Sequence, residues 1–167
     1  MQATRRMPAV AMSLEELRGH IGEEADPIVF PLDRTLVGDY VLAVGDSNPL
    51  WHDEVYAAQR GRGAPLAPPY LLCALRTITR ADPMPGAAPL PLPDVPPPRA
   101  RVLDGGEEWH FHHDMRLGDT ITSRTRLADV YEREGKVGAM LFFIFETTYT
   151  NQQGELVATS TYTMINY

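Results

Sequence analysis

A short stretch of the sequence gathers side chains that can exchange protons. Asp46, Asn48, His52 and Asp53 fall within eight positions, and Pro49 restricts the backbone between them. A carboxylate close to an imidazole can hold a water molecule and move a proton to or from it. The spacing therefore predicts an acid–base pair of Asp46 and His52. A structural alternative stays open, in which Asp46 bonds the backbone N–H groups of its own turn and His52 lies in solvent or caps a helix.

Helices are expected on both sides of this stretch. Asp33 is a predicted N-cap, apolar residues then recur at helical spacing, and Gly45 stands where helices commonly end. The C-terminal dipole of this helix disfavours a charged Asp46 unless hydrogen-bond donors compensate. Asp53 is predicted to cap a further short helix, and Ser13 is predicted to open an earlier one that ends at Gly22.

The second half of the chain changes from helical to strand periodicity. A segment from Tyr70 to Ile78, opened by Pro68 and Pro69, is apolar nearly all round, as in a buried helix. A proline-rich loop is expected over residues 82–100. Alternating patterns then predict four strands. They are Glu107 to Met115, Thr120 to Val130, Ala139 to Tyr149 and Glu155 to Ile165.

These elements predict one domain over residues 1–167, with residues 1–12 as a flexible tail. A helix that is apolar on all sides must be enclosed, and a curved antiparallel sheet is the element available to enclose it. The predicted fold is therefore α+β and of the hot-dog type, with a long central helix wrapped by the sheet. A single sheet of this kind keeps a free edge, so pairing with a second copy or a related chain, as a double hot dog, is expected.

Composition excludes several classes of function. The net charge of −7 and the lack of a basic cluster argue against nucleic-acid binding, and no apolar run is long enough to span a membrane. Cys73 is the only cysteine, which fits a reducing, cytoplasmic location. His110, His112 and His113 are close enough in sequence to suggest a metal site. The sequence has no other cysteine, histidine or aspartate at a matching spacing, so a solvated strand face is favoured. Neither a metal nor an organic cofactor is expected.

Several segments together resemble MaoC-like (R)-specific enoyl-CoA hydratases and acyl dehydratases, in the subfamily similar to the fungal fatty-acid-synthase dehydratase. Each segment alone is a weak signal, but their common order and spacing make the resemblance strong. Together they cover the chain from about Ile28 to its end. They are Tyr40-x4-Gly-Asp-Ser-Asn-Pro-Leu, Asp53-x2-Tyr-Ala, Ala67-Pro-Pro, Gly105-Gly-Glu-Glu-Trp-His-Phe, Arg116-Leu-Gly-Asp-Thr, Asp129-Val-Tyr-Glu-Arg-Glu-Gly-Lys and Tyr149-Thr-Asn-Gln-x-Gly-Glu-Leu-Val-Ala.

The resemblance implies hydration of a trans-2-enoyl thioester of CoA or acyl carrier protein, or the reverse dehydration. Asp46 matches the aspartate that activates water with a histidine. Trp51 stands where that histidine is usual, and His52 comes one residue later. Pro69 stands where relatives have a glycine whose N–H supports the thioester oxygen, and proline has no N–H. The residues expected to shape or line the substrate site are Asn48, Trp51, Ala67 and Tyr70.

Three hypotheses follow. The chain is a subunit that helps to bind the acyl group beside a catalytic hot-dog partner, a self-sufficient homodimeric hydratase that uses Asp46 and His52, or an acyl-thioester-binding module without chemistry. A thioesterase is possible on fold alone, but the Gly-Asp-x-Asn-Pro turn favours the hydratases.

Overall fold

The computed structural model describes residues 12–75, 101–136 and 138–167. Three α-helices lie within the described residues 12–60: α1 (Leu14–Arg18), α2 (Arg34–Val44) and α3 (Glu54–Gln59). Each begins at a predicted cap. Ser13 forms a capping box with Glu16, and Asp33 and Asp53 accept backbone N–H groups of their first turns. Gly45 ends α2 with φ +68°, a left-handed conformation that glycine adopts without strain.

Five strands form one antiparallel sheet. They are β1 (Ile28–Pro31), β3 (Val102–Phe111), β5 (Thr120–Gly135), β6 (Gly138–Thr150) and β7 (Leu156–Asn166), in the spatial order β1-β5-β6-β7-β3. A separate antiparallel pair joins β2 (Leu66–Ala67) to β4 (Met115–Arg116). The long strands β5, β6 and β7 follow one another as a meander, and the outer two strands join them from earlier in the chain.

A central helical segment, residues 71–75, follows β2 and packs into the sheet. Leu71 and Leu72 are almost fully buried. Their hydrophobic cluster joins the sheet to α2 through the buried residues Leu32, Val37, Ala67, Met115, Ile121, Tyr149, Val157 and Ala158. A second cluster lies further along the sheet, where Leu17 of α1 contributes to the packing around Phe143 and Phe145. The enclosed helix and antiparallel sheet agree with the predicted α+β layout.

Three predicted boundaries are wrong. The strand predicted from Thr120 to Val130 continues to Gly135, because it pairs with β6 as far as the hairpin at Gly138. The helix capped by Ser13 ends at Arg18 with Gly19 as its C-cap, rather than at Gly22. The predicted strand from Glu107 to Met115 begins earlier and is interrupted, because β3 starts at Val102 and ends at Phe111 before the chain turns into the short β4. His112 and His113 therefore lie beyond the strand end rather than on a strand face, although both are exposed.

Some predictions lie wholly or partly outside the described residues. These are the flexible tail over residues 1–12, of which only Met12 is described, the proline-rich loop over residues 82–100, and the central helix beyond residue 75. Within the described ranges, none of the helices has the length and apolar character needed to cross a membrane. No group of histidine, cysteine and acidic side chains in that part of the chain could hold a metal ion.

Candidate functional site

The turn after α2 is folded around the carboxylate of Asp46. Gly45 reverses the backbone, and the Asp46 N–H bonds the Val41 carbonyl at 3.1 Å. Asn48 then accepts the Leu50 N–H at 3.1 Å and starts a 3₁₀ turn over Pro49–Trp51. The C-cap at Gly45 and the N-cap at Asn48 together place the Trp51 side chain beside the carboxylate of Asp46.

Both oxygens of the half-buried Asp46 carboxylate accept hydrogen bonds. Oδ1 accepts the Asn48 backbone N–H at 3.0 Å, and Oδ2 accepts the indole Nε1–H of Trp51 at 2.8 Å. These donors supply the compensation that a carboxylate at the C-terminal end of a helix needs. The indole cannot take up or release a proton at neutral pH, because its nitrogen is only a donor. The contact therefore orients Asp46 and provides no acid–base partner for it.

His52 lies on the rim of the site. Its ring is exposed, and within the described residues its side chain makes no hydrogen bond. It nevertheless lines the same groove as Asp46 and Trp51. The predicted acid–base pair is thus brought to one groove, while the observed partner of Asp46 is Trp51.

This groove, which we call the α2 groove, runs along one side of α2 and has a volume of about 500 Å³. Its size is within the range of small-molecule sites. Arg34 lies at one end and pairs with Glu54 at 3.0 Å, while Asp46 and Trp51 lie at the other. The helix residues that line it repeat at helical spacing along a single stripe. They are Arg34, Val37, Gly38, Val41, Leu42 and Gly45.

A smaller cavity of about 180 Å³ lies at the start of the central helical segment, and we call it the strand-end cavity. Its lining includes the paired residues Ala67 and Met115, together with Pro69 and Phe111. Pro69 has no N–H to donate into this space, as the sequence predicts. The remaining described lining residues are Trp51, Leu66, His112, His113 and Asp114.

Tyr70 reaches the strand-end cavity only through Phe111. The two rings meet edge to face at 5.6 Å between centroids, and Phe111 stacks in turn on Trp109 at 5.8 Å. The Tyr70 side chain is itself exposed. Of the predicted substrate-binding residues, Trp51 and Ala67 therefore line a cavity, Tyr70 supports one, and Asn48 shapes the turn.

Tyr40 is a further titratable residue near Asp46. In the sequence it stands out only as the first residue of the Tyr40-x4-Gly-Asp-Ser-Asn-Pro-Leu segment. Burial raises the pKa of its phenol, and the negative charges of ionised Cys73 and of Asp46 raise this pKa further. The phenol therefore stays protonated close to Asp46. Tyr40 precedes Asp46 by six residues, and its position in α2 brings it to the same end of the helix.

A comparison with known protein families identifies the family of this chain. A family model described as FAS1-like, dehydratase domain region, matches residues 19–160. The chain belongs to this family. A probable enoyl-CoA hydratase alpha subunit from Thermomonospora curvata is 27% identical over 154 residues, which cover 85% of this chain and 46% of that protein. The chain thus spans about half the length of this relative.

A second relative is closer to this chain in length. The UPF0336 protein of Thermobifida fusca is 26% identical over 145 residues, covering 86% of this chain and 88% of that one. The ChsH1-ChsH2 complex from Mycobacterium tuberculosis matches with a TM-score of 0.72 at 17% identity, covering 92% of this chain and 88% of the matched one.

Another solved structure shares the same architecture with this chain. An (R)-hydratase from A. caviae matches with a TM-score of 0.65 at 18% identity, over 86% of this chain and 94% of that one. At these identities the likeness establishes the fold. The predicted α+β hot-dog fold is confirmed.

Proposed function

We propose that this FAS1-like dehydratase chain is the acyl-binding subunit of an enoyl-thioester hydratase or 3-hydroxyacyl-thioester dehydratase, paired with a catalytic hot-dog subunit. The substrate is a thioester of CoA or acyl carrier protein, and no cofactor takes part. The family membership supports the reaction class. The name of the Thermomonospora curvata relative, which describes an alpha subunit, supports a division of labour between chains.

The hydrogen bond from Trp51 to Asp46 is the observation that carries this proposal. Hydration requires one group to take a proton from water and another to deliver a proton to carbon. The aspartate of this chain is held at 2.8 Å by an indole, which can do neither. Pro69 also removes a backbone donor from the start of the central helical segment, where a thioester oxygen would be stabilised. The missing groups are therefore assigned to the partner.

Finer assignments belong to the same proposal. The Ala67-Pro-Pro and Gly105-Gly-Glu-Glu-Trp-His segments support placement in the subfamily similar to the fungal fatty-acid-synthase dehydratase. The single cysteine, Cys73, is compatible with a reducing compartment and supports a cytoplasmic location. Either a homodimer or a heterodimer would cover the free sheet edge, and the acyl-binding role favours the heterodimer. The described ranges fit within one hot-dog domain, so we treat residues 1–167 as a single unit.

The experiment measures crotonyl-CoA hydration by the chain alone and by its complex with a hot-dog chain that has histidine at the position of Trp51. We expect little activity from the single chain and full activity from the complex. Asp46→Asn in this chain should leave the kcat of the complex within about twofold. Full activity from the purified single chain would overturn the proposal. Binding of acyl-CoA without turnover in any complex would instead indicate a binding module.

A second candidate function rests on the shared lining of the α2 groove. Because His52 and Asp46 both face this groove, rotation of the exposed His52 ring would give a homodimeric hydratase its imidazole. In that case His52→Ala and Asp46→Asn would each lower kcat of the single chain by at least about a hundredfold. Unchanged rates in both variants would reject this function. The equally exposed His110→Ala serves as the matched control.

A further inference from the structure

Trp51 contacts both of the cavities that surround the site. It lines the α2 groove at the Asp46 end, and it lines the strand-end cavity together with Ala67 and Pro69. Among the described residues that line these two spaces, it is the one that they share. Trp51 therefore lies at the boundary of the two cavities, and we call its indole the wall.

This wall is held in place from two sides. Asp46 accepts its N–H at 2.8 Å and is itself fixed by the Asn48 backbone N–H at 3.0 Å. The ring also packs against the hydrophobic cluster that contains Leu71 and Leu72. Swinging the indole aside would break the hydrogen bond to a half-buried carboxylate and open the packed cluster, so the ring stays where it is.

The α2 groove is suited to an elongated apolar group. It follows α2 for 11 residues, a length of about 16 Å at the rise of an α-helix. Val41 and Leu42 contribute apolar lining, and the half-buried Trp51 and Asp46 lie at the end away from Arg34, which we call the inner end. Arg34 lies at the outer end with most of its side chain in solvent. A phosphorylated acyl carrier must stay in water, so the carrier belongs at the Arg34 end and the acyl tail points toward Trp51.

We propose that Trp51 determines chain-length specificity by stopping an unbranched acyl tail at the end of the α2 groove and excluding it from the strand-end cavity. This inference rests on the proposed acyl-binding function, and it names the residue that limits the acyl group. Asp46 is then a positioning residue, because it acts on the ligand through the indole that it holds.

The two tryptophans of the chain allow a direct test, because each reports one side of the wall. Trp109 stacks on Phe111, which lines the strand-end cavity. Trp51→Phe and Trp51→Ala both leave Trp109 as the sole tryptophan, and they differ in whether an aromatic ring still fills the wall. The probe is a series of acyl-CoA thioesters with bromine on the last carbon, since bromine quenches indole fluorescence at short range.

We expect long brominated chains to quench Trp109 in Trp51→Ala and not in Trp51→Phe. In Trp109→Phe, the same probes should quench Trp51. The affinity of unbrominated acyl-CoA should rise by a factor of about four per methylene up to a limiting length, which moves to longer chains in Trp51→Ala alone.

Quenching of Trp109 in Trp51→Phe would overturn the inference, as would the same limiting length in Trp51→Phe and Trp51→Ala. Both of these results would leave the acyl-binding function standing, because they require binding. Absence of acyl-CoA binding at every length, in the free chain and in its complex, would reject the proposed function as well. If Trp51→Ala does not fold, the quenching results for Trp51→Phe and Trp109→Phe decide the outcome.

Discussion

The contact between Trp51 and Asp46 determines what this site can do, and its strength can be measured in isolation. A hydrogen bond to a charged acceptor contributes about 1.5–3 kcal/mol when buried, and less here because both side chains are only half-buried. We expect Trp51→Phe and Asp46→Ala to show a coupling free energy of about 1 kcal/mol in a double-mutant cycle, measured by urea unfolding. The same cycle with Trp109→Phe is the control. A coupling as large for Trp109, which stacks on Phe111 and Tyr149, would contradict the assignment.

The position of Trp51 could be predicted from the sequence, whereas its partner could not. The motif places an aromatic residue where a histidine is expected, and it places His52 next to it. Trp51 is the last residue of the 3₁₀ turn and His52 is its C-cap, so the two side chains leave the backbone in different directions. Which one faces Asp46 depends on how the turn over Pro49–Trp51 sits against α2 and the core, and those contacts are not local in sequence.

Tyr40 gives a second prediction at this scale, because the raised pKa of its phenol makes stability depend on pH. The folded state holds the proton more tightly than the unfolded state, in which tyrosine has a pKa of about 10. The stabilisation that the Tyr40 phenol contributes is therefore fully present below about pH 10. It is lost as the pH rises through the pKa of Tyr40 in the folded state, which is higher.

The measurement compares the urea midpoints of wild type and Tyr40→Phe between pH 8 and pH 11. We expect the wild type to lose more stability over this range than Tyr40→Phe. Asp46→Asn should reduce the difference, because the carboxylate is one of the charges that raise the pKa. Tyr56→Phe is the control, and parallel curves for wild type and Tyr40→Phe would refute the prediction.

At the scale of elements, interactions within a few residues were predictable and long-range pairings were not. The caps at Ser13, Asp33 and Asp53 each bond a backbone group three residues away, so the local sequence is sufficient to find them. The start of β3 depends instead on its pairing with β7, where Val102 opposes Asn166. The register of that pair shifts between Asp104 and Glu107, which the alternation pattern could not reveal.

Gly105 lies in this shift and gives a prediction about β3. A Cβ atom added there would approach Thr163 Cγ2 to 2.7 Å and the Thr163 carbonyl oxygen to 3.0 Å. We expect Gly105→Ala to lower the free energy of unfolding by about 1–3 kcal/mol, because the strands must move apart. Adding Thr163→Ser removes the nearest atom and should restore part of the loss, as measured by urea unfolding.

Gly38→Ala is the control for this substitution. Gly38 lies within α2, and an added Cβ there meets no atom within 4 Å. Alanine has the higher helix propensity, so this variant should gain up to about 1 kcal/mol. Equal losses at Gly38 and Gly105 would show that the close approach of β3 to Thr163 is not what requires glycine.

At the scale of the whole molecule, the two edges of the sheet are built differently. β1 has four residues and ends in Pro31, features that protect an edge from further pairing. β3 has ten residues, and Val102 and Leu103 at its start are exposed. Among the described strands, β3 is therefore the edge that a second hot-dog sheet can extend.

This asymmetry predicts that a charge introduced on the β3 edge disrupts assembly, whereas the same charge on the β1 edge does not. Leu103 is 52% exposed on β3, and Val29 is 59% exposed on β1, so the two sites are closely matched. A lysine at an edge must lose hydration when another strand covers it. We expect Leu103→Lys to weaken association about tenfold or more in sedimentation measurements, whether the second sheet comes from another copy or from a catalytic partner.

Thermal unfolding gives an independent readout of the same assembly. Association stabilises the folded chain, so Tm should rise with the concentration of whichever partner binds. Val29→Lys should keep this dependence, and Leu103→Lys should lose it while its Tm at low concentration stays close to that of wild type. The opposite pattern would assign the interface to β1. Under the proposed division of labour between subunits, Leu103→Lys should also abolish the hydration of crotonyl-CoA by the complex.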